Sequence, residues 1–364
     1  MIRRFLRGAF YWLGSGAALV AGVGLLARFI SPAAWWPPAL LALVLPGFLL
    51  LTLLFVGWCV YRRRWRWAAF PILISLSALP LYPRLFSVQF GADAGARGEK
   101  TEQGVTTDTT LTVLTANVRN FKDDSYAGVS DSLAMAFLRS SAPDILMLQE
   151  SRHHRWKKRY WNRIKTVTGL SERRQPRGKT VATYANRMTF VADEFSEGEG
   201  YNGFVVSDVR TELGTIRVIN AHLMSNQISR LAADIGEDDN LEAGARRAKS
   251  MFAGYGRAAA GRAGQAELIR KYVRESPHPV VVGGDFNDVP SGYAYQRILT
   301  PRLRDAWVER GFGIGTTFTG PLPGLRIDYL LVDTALTVRA VDRVETGYSD
   351  HRALRATLSP RLRQ

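Results

Sequence analysis

The sequence predicts an α/β domain whose sheets pack on each other with helices outside, preceded by a membrane anchor of about three helices. Three observations lead to this prediction. Three apolar runs occupy the first ninety residues. After residue 110, short β-rich runs outnumber helical patterns, which favours packed sheets covered by helices. Polar residues stand where several of these runs end, so one edge of the sheets is expected to carry the function.

The apolar runs cover residues 9–30, 37–61 and 67–83, and each is predicted to be a transmembrane helix. A span needs about 20 apolar residues, and the second run meets this most clearly. The third run is shorter and is interrupted by Pro71 and Pro80. A cleaved signal peptide is the alternative for the first run, but no Ala-x-Ala-like site followed by soluble sequence is present.

The positive charge of the chain is concentrated in these runs and their flanks. The formal net charge is +16, but the first ninety residues contain nine arginines and no acidic residue, which leaves +7 for the rest. A moderately basic soluble part does not by itself indicate a nucleic-acid partner. The single cysteine, Cys59, excludes a disulfide within the chain and a cysteine-based metal site.

The arginines also predict an orientation in the cytoplasmic (inner) membrane. Arginines precede the first run and separate the second from the third, whereas the connection at residues 31–36 has no charge. The positive-inside rule therefore places the N-terminus and the Arg62–Arg66 loop in the cytoplasm. With three spans, the rest of the chain lies on the extracytoplasmic side. If the third run only lies in the interface, the domain is cytoplasmic instead.

The domain organisation follows from composition and periodicity. Residues 1–90 are the anchor, residues 91–110 are a linker rich in Gly, Thr, Asp and Glu, and residues 111–364 are the folded domain. Strands are predicted at 111–116, 144–148, 180–184, 203–209, 215–220, 279–283 and 326–332, and after residue 351. Helices are predicted at 131–140, 243–275 and 293–299, with a candidate break in the second at its glycines 254–264.

Polar groups stand at the ends of these strands. The β-branched run Val280–Val282 leads into Gly-Gly-Asp-Phe-Asn-Asp, which presents Asp285 and Asn287 on the same side. The other strand-end groups are Asn117, Glu150, His222, Asp328 and the pair Asp350–His351. Each group alone has a structural interpretation, such as a turn, a helix cap, an ion pair or a core histidine. Their shared position favours one functional site.

The residue types at this site fit the hydrolysis of phosphoesters. A hard divalent cation prefers oxygen ligands, which Glu150, Asn117 and Asp350 can supply. Mg²⁺ takes only one or two carboxylates and keeps water, so this sparse set is sufficient. Asp285 is suited to accept the proton of an attacking water.

Two histidines complete the set. A carboxylate such as Asp328 can hold His351 in place and keep it charged toward phosphoryl oxygens. His222 can act in the same way from another side. The chain has five histidines, and two of them here are too few for a His-rich zinc site.

Six segments carry a resemblance to a known family. They are Thr115-Ala-Asn-Val, Leu148-Gln-Glu, Ile219-Asn-Ala-His-Leu, Gly284-Asp-Phe-Asn-Asp, Arg326-Ile-Asp-Tyr and Ser349-Asp-His. In order and spacing, residues 111–358 resemble the endonuclease/exonuclease/phosphatase family, whose fold is shared by DNase I-like nucleases, bacterial sphingomyelinases and inositol polyphosphate 5-phosphatases. The resemblance implies a four-layer α/β sandwich with two mixed β-sheets flanked by helices. With its N-terminal spans, the chain resembles bacterial membrane-anchored members.

The resemblance also implies a role for each strand-end residue. The metal-binding group, for Mg²⁺ or Mn²⁺, is Glu150 assisted by Asn117 and Asp350. The catalytic group is Asp285, Asn287, His222, His351 and Asp328. Within it, Asp285 is the base and Asn287 positions the substrate or the water. The histidines stabilise the pentacoordinate phosphoryl state, and Asp328 orients His351.

Candidate substrate contacts lie outside these groups and are Arg152, Arg155, Tyr184 and Asn220. The two arginines follow Glu150 in a basic run with aromatic residues, which fits a grip on phosphate oxygens or stacking on a base. The alternative is a solvated helix start. Tyr184 lies in a middle segment that also offers Thr183 and Asn186. The basic helical stretch 225–275 fits a phosphate-bearing substrate or lipid headgroups, and its alternative is a solvated helix face.

The sequence therefore predicts a membrane-anchored, Mg²⁺- or Mn²⁺-dependent phosphohydrolase that attacks its substrate in line with water. Its predicted partners are a phosphoester substrate and the lipid bilayer, with no obligate protein partner. A lipid or envelope phosphodiester is favoured because the site is tethered to the membrane. The alternatives are a nuclease acting on extracellular DNA or RNA, a catalytically silent module that binds phosphorylated ligands, and a membrane scaffold whose spans are the working part.

Overall fold

The computed structural model describes residues 2–88, 109–122, 128, 130–151, 157–196, 201–225, 241–320 and 324–361. Within these ranges the chain forms two compact units. The first comprises residues 1–85, 226–266 and 288–297, and the second comprises residues 86–225, 267–287 and 298–364. The predicted linker, residues 91–110, lies outside the described residues except for its last two positions.

The helices, in chain order, are α1 (Ile2–Leu25), α2 (Pro37–Tyr61), α3 (Trp65–Ser77), α4 (Tyr82–Leu85), α5 (Asp131–Ser141), α6 (Lys157–Thr168), α7 (Leu241–Arg274), α8 (Tyr293–Ile298) and α9 (Ala306–Arg310). The strands are β1 (Leu111–Asn117), β2 (Ile145–Gln149), β3 (Glu172–Arg174), β4 (Ala182–Ala185), β5 (Met188–Phe195), β6 (Gly203–Thr211), β7 (Gly214–His222), β8 (Val280–Asp285), β9 (Leu303–Asp305), β10 (Asp328–Asp333), β11 (Leu336–Val344) and β12 (Ala353–Pro360). Short 3₁₀ turns occur at Leu26–Arg28 and Arg119–Phe121.

In the first unit, α3 and the turn after it run along α1 and α2. Near its start, α3 packs through Trp67 and Ala68 on Tyr11, Phe55 and Cys59. A second cluster joins the residues after α3 to the last turns of α1 and the first half of α2, and it contains Ala21, Leu25, Leu45, Leu49, Ala78 and Leu81. The segment from residue 65 to residue 85 therefore runs along the α1–α2 pair from the level of Tyr11 and Cys59 to the level of Leu25 and Leu45.

Two segments of this unit are long and apolar enough to cross a membrane, Gly8–Arg28 and Pro37–Tyr61. Helix α3 has 13 residues, which at 1.5 Å per residue is about 20 Å, whereas the hydrocarbon core is about 30 Å thick. The single continuous helix expected at 67–83 is instead α3 followed by a turn and α4, and a third crossing of the membrane by this segment stays a prediction. The helix ends at Ser77 because the following Pro80 disfavours helical backbone at the residue before it, and the chain continues as a turn and α4.

The middle of α7 packs on the start of α2 within the first unit. The Tyr255 hydroxyl donates a 2.6 Å hydrogen bond to the Ala39 carbonyl, and the Trp36 ring stacks on Phe252 with ring centroids 6.5 Å apart. A Cβ at Gly256 would come within 2.9 Å of the Trp36 ring. Helix α7 is continuous, so the candidate break at its glycines is wrong. Gly256 instead permits close packing.

The two units differ from the contiguous division expected from sequence. The described residues 241–266 and 288–297, which the sequence assigns to the folded domain, belong to the same unit as residues 2–85. The Ser291 hydroxyl donates to the Ala42 carbonyl at 2.9 Å, and an Arg84 guanidinium nitrogen donates to the Gln296 side chain at 2.7 Å. Hydrophobic periodicity cannot reveal such long-range pairing.

The second unit contains two six-stranded sheets. Their strand orders are β11-β12-β1-β2-β4-β3 and β5-β6-β7-β8-β10-β9. Each sheet is mixed, because β1–β2 and β7–β8 are parallel and their other described pairings are antiparallel. Parallel neighbours bring the carboxyl ends of their strands to the same edge.

The core of the second unit lies between these sheets. Val113 and Met147 of the first sheet pack with Val218, Val281 and Leu330 of the second. Because side chains alternate along a strand, the other face of the first sheet packs against α5 and α6. On the outer face of the second sheet, Tyr272 of α7 meets Phe204 edge-on. The four-layer α/β sandwich is confirmed.

Candidate active site

Strand register aligns three of the predicted residues in the second sheet. His222 at the end of β7 pairs with Asp285 at the end of β8. Asp285 in turn pairs with Asp328 at the start of β10. The three side chains therefore stand on neighbouring strands at one edge.

Gly284 allows β7 and β8 to approach closely just before the catalytic turn. Its φ is +137°, and a Cβ at this position would lie 1.8 Å from the Ala221 carbonyl oxygen. No other residue type fits this backbone, because only glycine lacks the Cβ. The second glycine of the motif therefore fixes where Asp285 leaves the sheet.

The first sheet supplies Asn117 and Glu150. Asn117 pairs with Gln149, so the residue after Gln149 is delivered beside the end of β1. Glu150 has a φ of +49°, a left-handed conformation that costs a non-glycine residue about 1–3 kcal/mol. The strain is offset locally, because the Glu150 carbonyl accepts a 2.8 Å hydrogen bond from the Asn120 amide.

Three side-chain nitrogen atoms of the site approach one oxygen atom, Oδ2 of Asp285. The Asn117 amide donates to it at 3.0 Å, and the Nε2 atoms of His222 and His351 lie 3.7 Å and 3.8 Å away. The other carboxylate oxygen, Oδ1, accepts from the Asn287 backbone amide at 2.9 Å.

The environment of Asp285 raises the pKa of its carboxyl. Burial is the main cause, because it disfavours the charged form, and the nearby Asp328 carboxylate adds to the rise. The two histidines and the Asn287 amide act in the opposite direction. A carboxylate with a raised pKa is a better proton acceptor at neutral pH.

His351 is held by Asp328. Its Nδ1 lies 2.9 Å from Asp328 Oδ2, and its ring packs edge-on against Phe318. Burial alone would lower the pKa of His351, but the carboxylates of Asp328 and Asp285 outweigh it and raise this pKa to about 10. These carboxylates therefore favour the protonated form of His351, whose Nε2 is directed at Asp285.

The His222 ring is oriented by a backbone carbonyl rather than by a carboxylate. Its Nδ1 lies 3.1 Å from the Tyr201 carbonyl oxygen, and a carbonyl can only accept, so Nδ1 carries a proton. Its Nε2 faces Glu150 Oε1 at 3.8 Å and Asp285 Oδ2 at 3.7 Å. This nitrogen can therefore contact a group bound between the two carboxylates.

Two partly exposed carboxylates provide a donor set for a hard cation. The side chains of Glu150 and Asp350 are 27% and 30% exposed, so both can be reached by a cation that keeps some of its water. The Asn117 amide donates to Glu150 Oε1 at 3.2 Å, and Arg119 Nε lies 3.7 Å from Asp350 Oδ1. Asn117 thus orients carboxylates here, and its role as a ligand stays a prediction.

A second set of ligand atoms lies deeper. Within the described residues, Asp285, Asp328 and His351 offer three such atoms within 4.8 Å of one another. This set suits a cation less well, because Asp328 and His351 already bond each other. Glu150 with Asp350 fits the chemistry of Mg²⁺ or Mn²⁺ better, since both are oxygen ligands.

Two of the candidate substrate contacts are corrected by the structure. Tyr184 is 1% exposed and packs beside Trp161 in the core under α6. Asn220 is fully buried, where its carbonyl oxygen accepts from Gln149 at 2.7 Å and its amide donates to the Ala182 carbonyl at 3.0 Å. Both side chains support the strands beneath the site. Arg152 and Arg155 lie outside the described residues.

The structure also brings in residues that the sequence did not single out. The Ser349 hydroxyl donates to the Asn117 carbonyl at 2.8 Å and accepts from the His351 amide at 3.1 Å. The amides of Asn202 and Asn287 both donate to the Leu223 carbonyl. Ser349 stands beside Asp350 in the motif, which was an available signal, whereas nothing local marks Asn202.

Comparison with known proteins gives two matches to family models. Residues 114–351, well over half of the chain, match the model of the endonuclease/exonuclease/phosphatase family. Residues 5–85 match a domain of unknown function. No curated protein matches the chain.

Several solved structures are similar. One is an endonuclease/exonuclease/phosphatase from Beutenbergia cavernae, with 21% identity, a TM-score of 0.46, and coverage of 69% of this chain and 72% of that one. Another, from Bacteroides vulgatus, has 16% identity, a TM-score of 0.46, and coverage of 70% and 100%. A humanized D. rerio TDP2 has 16% identity, a TM-score of 0.46, and coverage of 69% and 99%.

Proposed function

Because the chain belongs to the endonuclease/exonuclease/phosphatase family, whose members are metal-dependent phosphoric ester hydrolases, we propose that it is a membrane-anchored phosphodiesterase acting on a lipid or envelope phosphoester. One observation carries the hydrolytic part of the proposal. Asp285 Oδ2 lies within 4 Å of Asn117 Nδ2 and of the Nε2 atoms of both histidines. The proposed base therefore lies close to two histidines that can contact phosphoryl oxygens.

In the proposed mechanism, Asp285 accepts the proton of the attacking water. Its carboxylate takes a proton from the attacking water, and the Asn287 amide on Oδ1 holds it in orientation. Cationic His351 faces the developing negative charge of the phosphoryl oxygens, and His222 Nε2 faces it from the side of Glu150. Asp328 keeps His351 charged and in place.

Glu150 and Asp350 are the proposed ligands of Mg²⁺ or Mn²⁺. A bound divalent cation supplies Lewis-acid stabilisation of phosphoryl charge. Asn117 and Asn120 hold the Glu150 carboxylate through amide contacts of 3.2 Å and 3.5 Å. Asn117 also bonds Asp285, so the metal-binding and proton-accepting groups keep a fixed spacing.

The apolar N-terminal helices support the choice of a membrane-associated substrate. Gly8–Arg28 and Pro37–Tyr61 are each long enough to span a bilayer. A site on the same chain meets lipid phosphoesters at high effective concentration, because tethering replaces a bimolecular encounter by a local one. Extracellular nucleic acid is the alternative substrate.

We propose that the site lies on the extracytoplasmic side. Within the first unit, the segment from residue 65 to residue 85 runs along much of the α1–α2 pair, and α7 packs on the start of α2, at the end opposite the Arg62–Arg66 loop. Positive-inside orientation puts that loop in the cytoplasm. A C-terminal alkaline phosphatase fusion should then be active and a C-terminal fluorescent-protein fusion dark, and the reverse pattern would refute this orientation.

The substrate proposal is tested with the full chain in nanodiscs. Bis-p-nitrophenyl phosphate, p-nitrophenyl phosphate, phospholipids and single-stranded DNA are offered with Mg²⁺ or Mn²⁺, each with an EDTA control. We expect EDTA-sensitive cleavage of the diester and of a phospholipid. Faster cleavage of DNA than of any lipid would favour the nuclease alternative. Absence of all cleavage would remove the hydrolase assignment.

A further inference from the structure

A glycine-alternating loop in the second unit displays apolar side chains to solvent. Residues 311–315 read Gly-Phe-Gly-Ile-Gly. A Cβ at Gly311 would come within 2.3 Å of the Trp307 ring, and one at Gly315 within 2.4 Å of it. Gly311 and Gly315 therefore lie against the Trp307 ring. Phe312 and Ile314 between them are 59% and 52% exposed.

The loop is fixed rather than loose. Trp307 is 6% exposed and donates its indole N–H to the Gly313 carbonyl at 3.2 Å. Gly313 also forms a two-way backbone bridge with Ser87, with N···O distances of 3.0 Å and 2.8 Å. The Ser87 hydroxyl donates to the Val308 carbonyl at 3.2 Å. These hydrogen bonds thus fix the backbone that carries the exposed side chains of the loop.

The partner segment of this bridge is apolar and exposed as well. Phe86 and Val88 flank Ser87 and are 49% and 40% exposed. The ring of Phe86 meets that of Phe312 edge-on, with centroids 6.0 Å apart. Phe86, Val88, Phe312 and Ile314 together form what we call the apolar clip. Contiguous exposed apolar residues of this kind mark interaction surfaces.

Chain connectivity favours the membrane as the surface that the clip meets. Phe86 follows Leu85, the last residue of the first segment of the unit that contains both membrane-length helices. Consecutive Cα atoms are about 3.8 Å apart, so the clip begins where the anchor ends. No acidic residue occurs from position 81 to 92 or from 310 to 327, which suits a surface of phospholipid headgroups.

We propose that the apolar clip inserts into the interfacial region of the bilayer as a second membrane contact, made by the second unit. This inference rests on the proposed membrane attachment. Aromatic and aliphatic side chains gain free energy when they leave water for the headgroup–acyl boundary. Two contacts, the helices and the clip, restrict the rotation of the second unit more than the helices alone.

The test measures the depth of single labelled positions in the full chain. Cys59 is the only cysteine and is buried, so a Cys59→Ala background allows one new cysteine at a time. Phe312→Cys carries a bimane probe in nanodiscs of phosphatidylcholine with phosphatidylglycerol. Nitroxide lipids labelled at the headgroup or along the acyl chain quench from the membrane, and iodide quenches from water.

Two matched positions serve as controls. Phe190→Cys replaces the same residue type with a similar exposure of 46% on the edge strand β5, and Leu54→Cys on α2 is 63% exposed and reports the anchor. We expect headgroup nitroxides to quench the Phe312 probe several-fold more strongly than the Phe190 probe. Acyl nitroxides should quench the Leu54 probe. Ile314→Cys repeats the measurement with the Phe312 ring intact.

Each other outcome overturns the proposal in a distinct way. Quenching at Leu54 with equal, weak quenching at Phe312 and Phe190 would leave the anchor standing and remove the clip. Protection of Phe312 from iodide without lipid quenching would assign the clip to a second copy or another protein. Absence of lipid quenching at Leu54 would remove membrane attachment itself, and the clip with it.

Discussion

The Nδ1 atom of His351 lies 2.9 Å from Oδ2 of Asp328, and both side chains are buried. Asp328 stands in register with Asp285 on the adjacent strand, so the sheet places two carboxylates around one imidazole. The arrangement favours the protonated form of His351 and directs its Nε2 at Asp285, the proposed base. Its charge and its direction therefore depend on Asp328 as much as on its own position.

Replacing Asp328 by Asn should reduce kcat by about 10²-fold, since a positioned charged group contributes about 10²–10⁴-fold to such reactions. The substitution keeps the shape but removes the nearest of the carboxylate charges that raise the pKa of His351. KM should change little, because the ground-state substrate is bound by other groups. Steady-state hydrolysis of bis-p-nitrophenyl phosphate measures both constants.

Asp342→Asn is the matched control for this change. Asp342 pairs with Arg355 at 3.3 Å on an exposed strand, and its side chain is 56% exposed. Its removal should leave kcat within experimental error. Equal losses in the two variants would mean that Asp328 acts through overall stability, and the assigned positioning role would be wrong.

Asp285→Asn should lower hydrolysis of the same diester by about 10²–10⁴-fold, because the amide cannot accept the proton of the attacking water. The concentration of Mg²⁺ at half-maximal activity should stay unchanged, since the proposed ligands are Glu150 and Asp350. Asp193→Asn on the edge strand β5 is the control and should behave as the wild type. Unchanged turnover of the Asp285 variant would exclude it as the base.

Metal dependence distinguishes the two candidate donor sets. Glu150→Gln should raise the Mg²⁺ or Mn²⁺ concentration needed for half-maximal activity by about tenfold or more, because even indirect partners of a metal ligand are worth 10–100-fold. His351→Gln should lower kcat without this shift. The measurement is a metal titration of EDTA-treated protein. A larger metal shift in the His351 variant would assign the cation to the Asp285–Asp328–His351 set instead.

The raised pKa of His351 predicts a pH-dependent stability. The ordinary value is 6.5 and the folded value is about 10, so the folded state binds this proton more tightly. The stabilisation is fully present below pH 6.5 and is lost as the pH rises through 10. Between these values the contribution to the free energy of unfolding falls by about 1.4 kcal/mol per pH unit.

Denaturation of the EDTA-treated full chain at pH 7 to pH 9.5, compared with His351→Asn, measures this contribution. The stability difference between the two proteins should shrink as the pH rises, because the variant lacks the proton. A difference that stays constant over this range would show that the folded state does not retain the proton on His351.

The strands that carry the site could be predicted because their sequences are unambiguous. Val280–Asp285 has consecutive β-branched residues that lie buried in the centre of a sheet, and the polar residues after it stand where the pattern stops. His222 and Asp285 end buried strands and Asp328 begins one that runs antiparallel to β8, so the three residues lie at the same edge of the sheet. Here the local pattern and the long-range packing agree.

Other elements escaped prediction because their local pattern is weak. β5 and β11 lie at sheet edges, where polar and charged residues face water and interrupt the alternation. Gly256 of α7 was interpreted as a break, but in the structure it lies against Trp36, more than 200 positions away. Asn220 was interpreted as a substrate contact, although its buried bonds to Gln149 and Ala182 are visible only in three dimensions.

The packing of α7 on α2 has a consequence for how such a protein can change in evolution. Tyr255 and Ala259 are buried against Ala39 and Leu43 within one compact unit. A gene fusion that exchanged the first 85 residues for an unrelated anchor would leave this apolar face of α7 open to water. We therefore expect the N-terminal segment and α7 to be inherited together, and the boundary between the two family matches not to be a point of free module exchange.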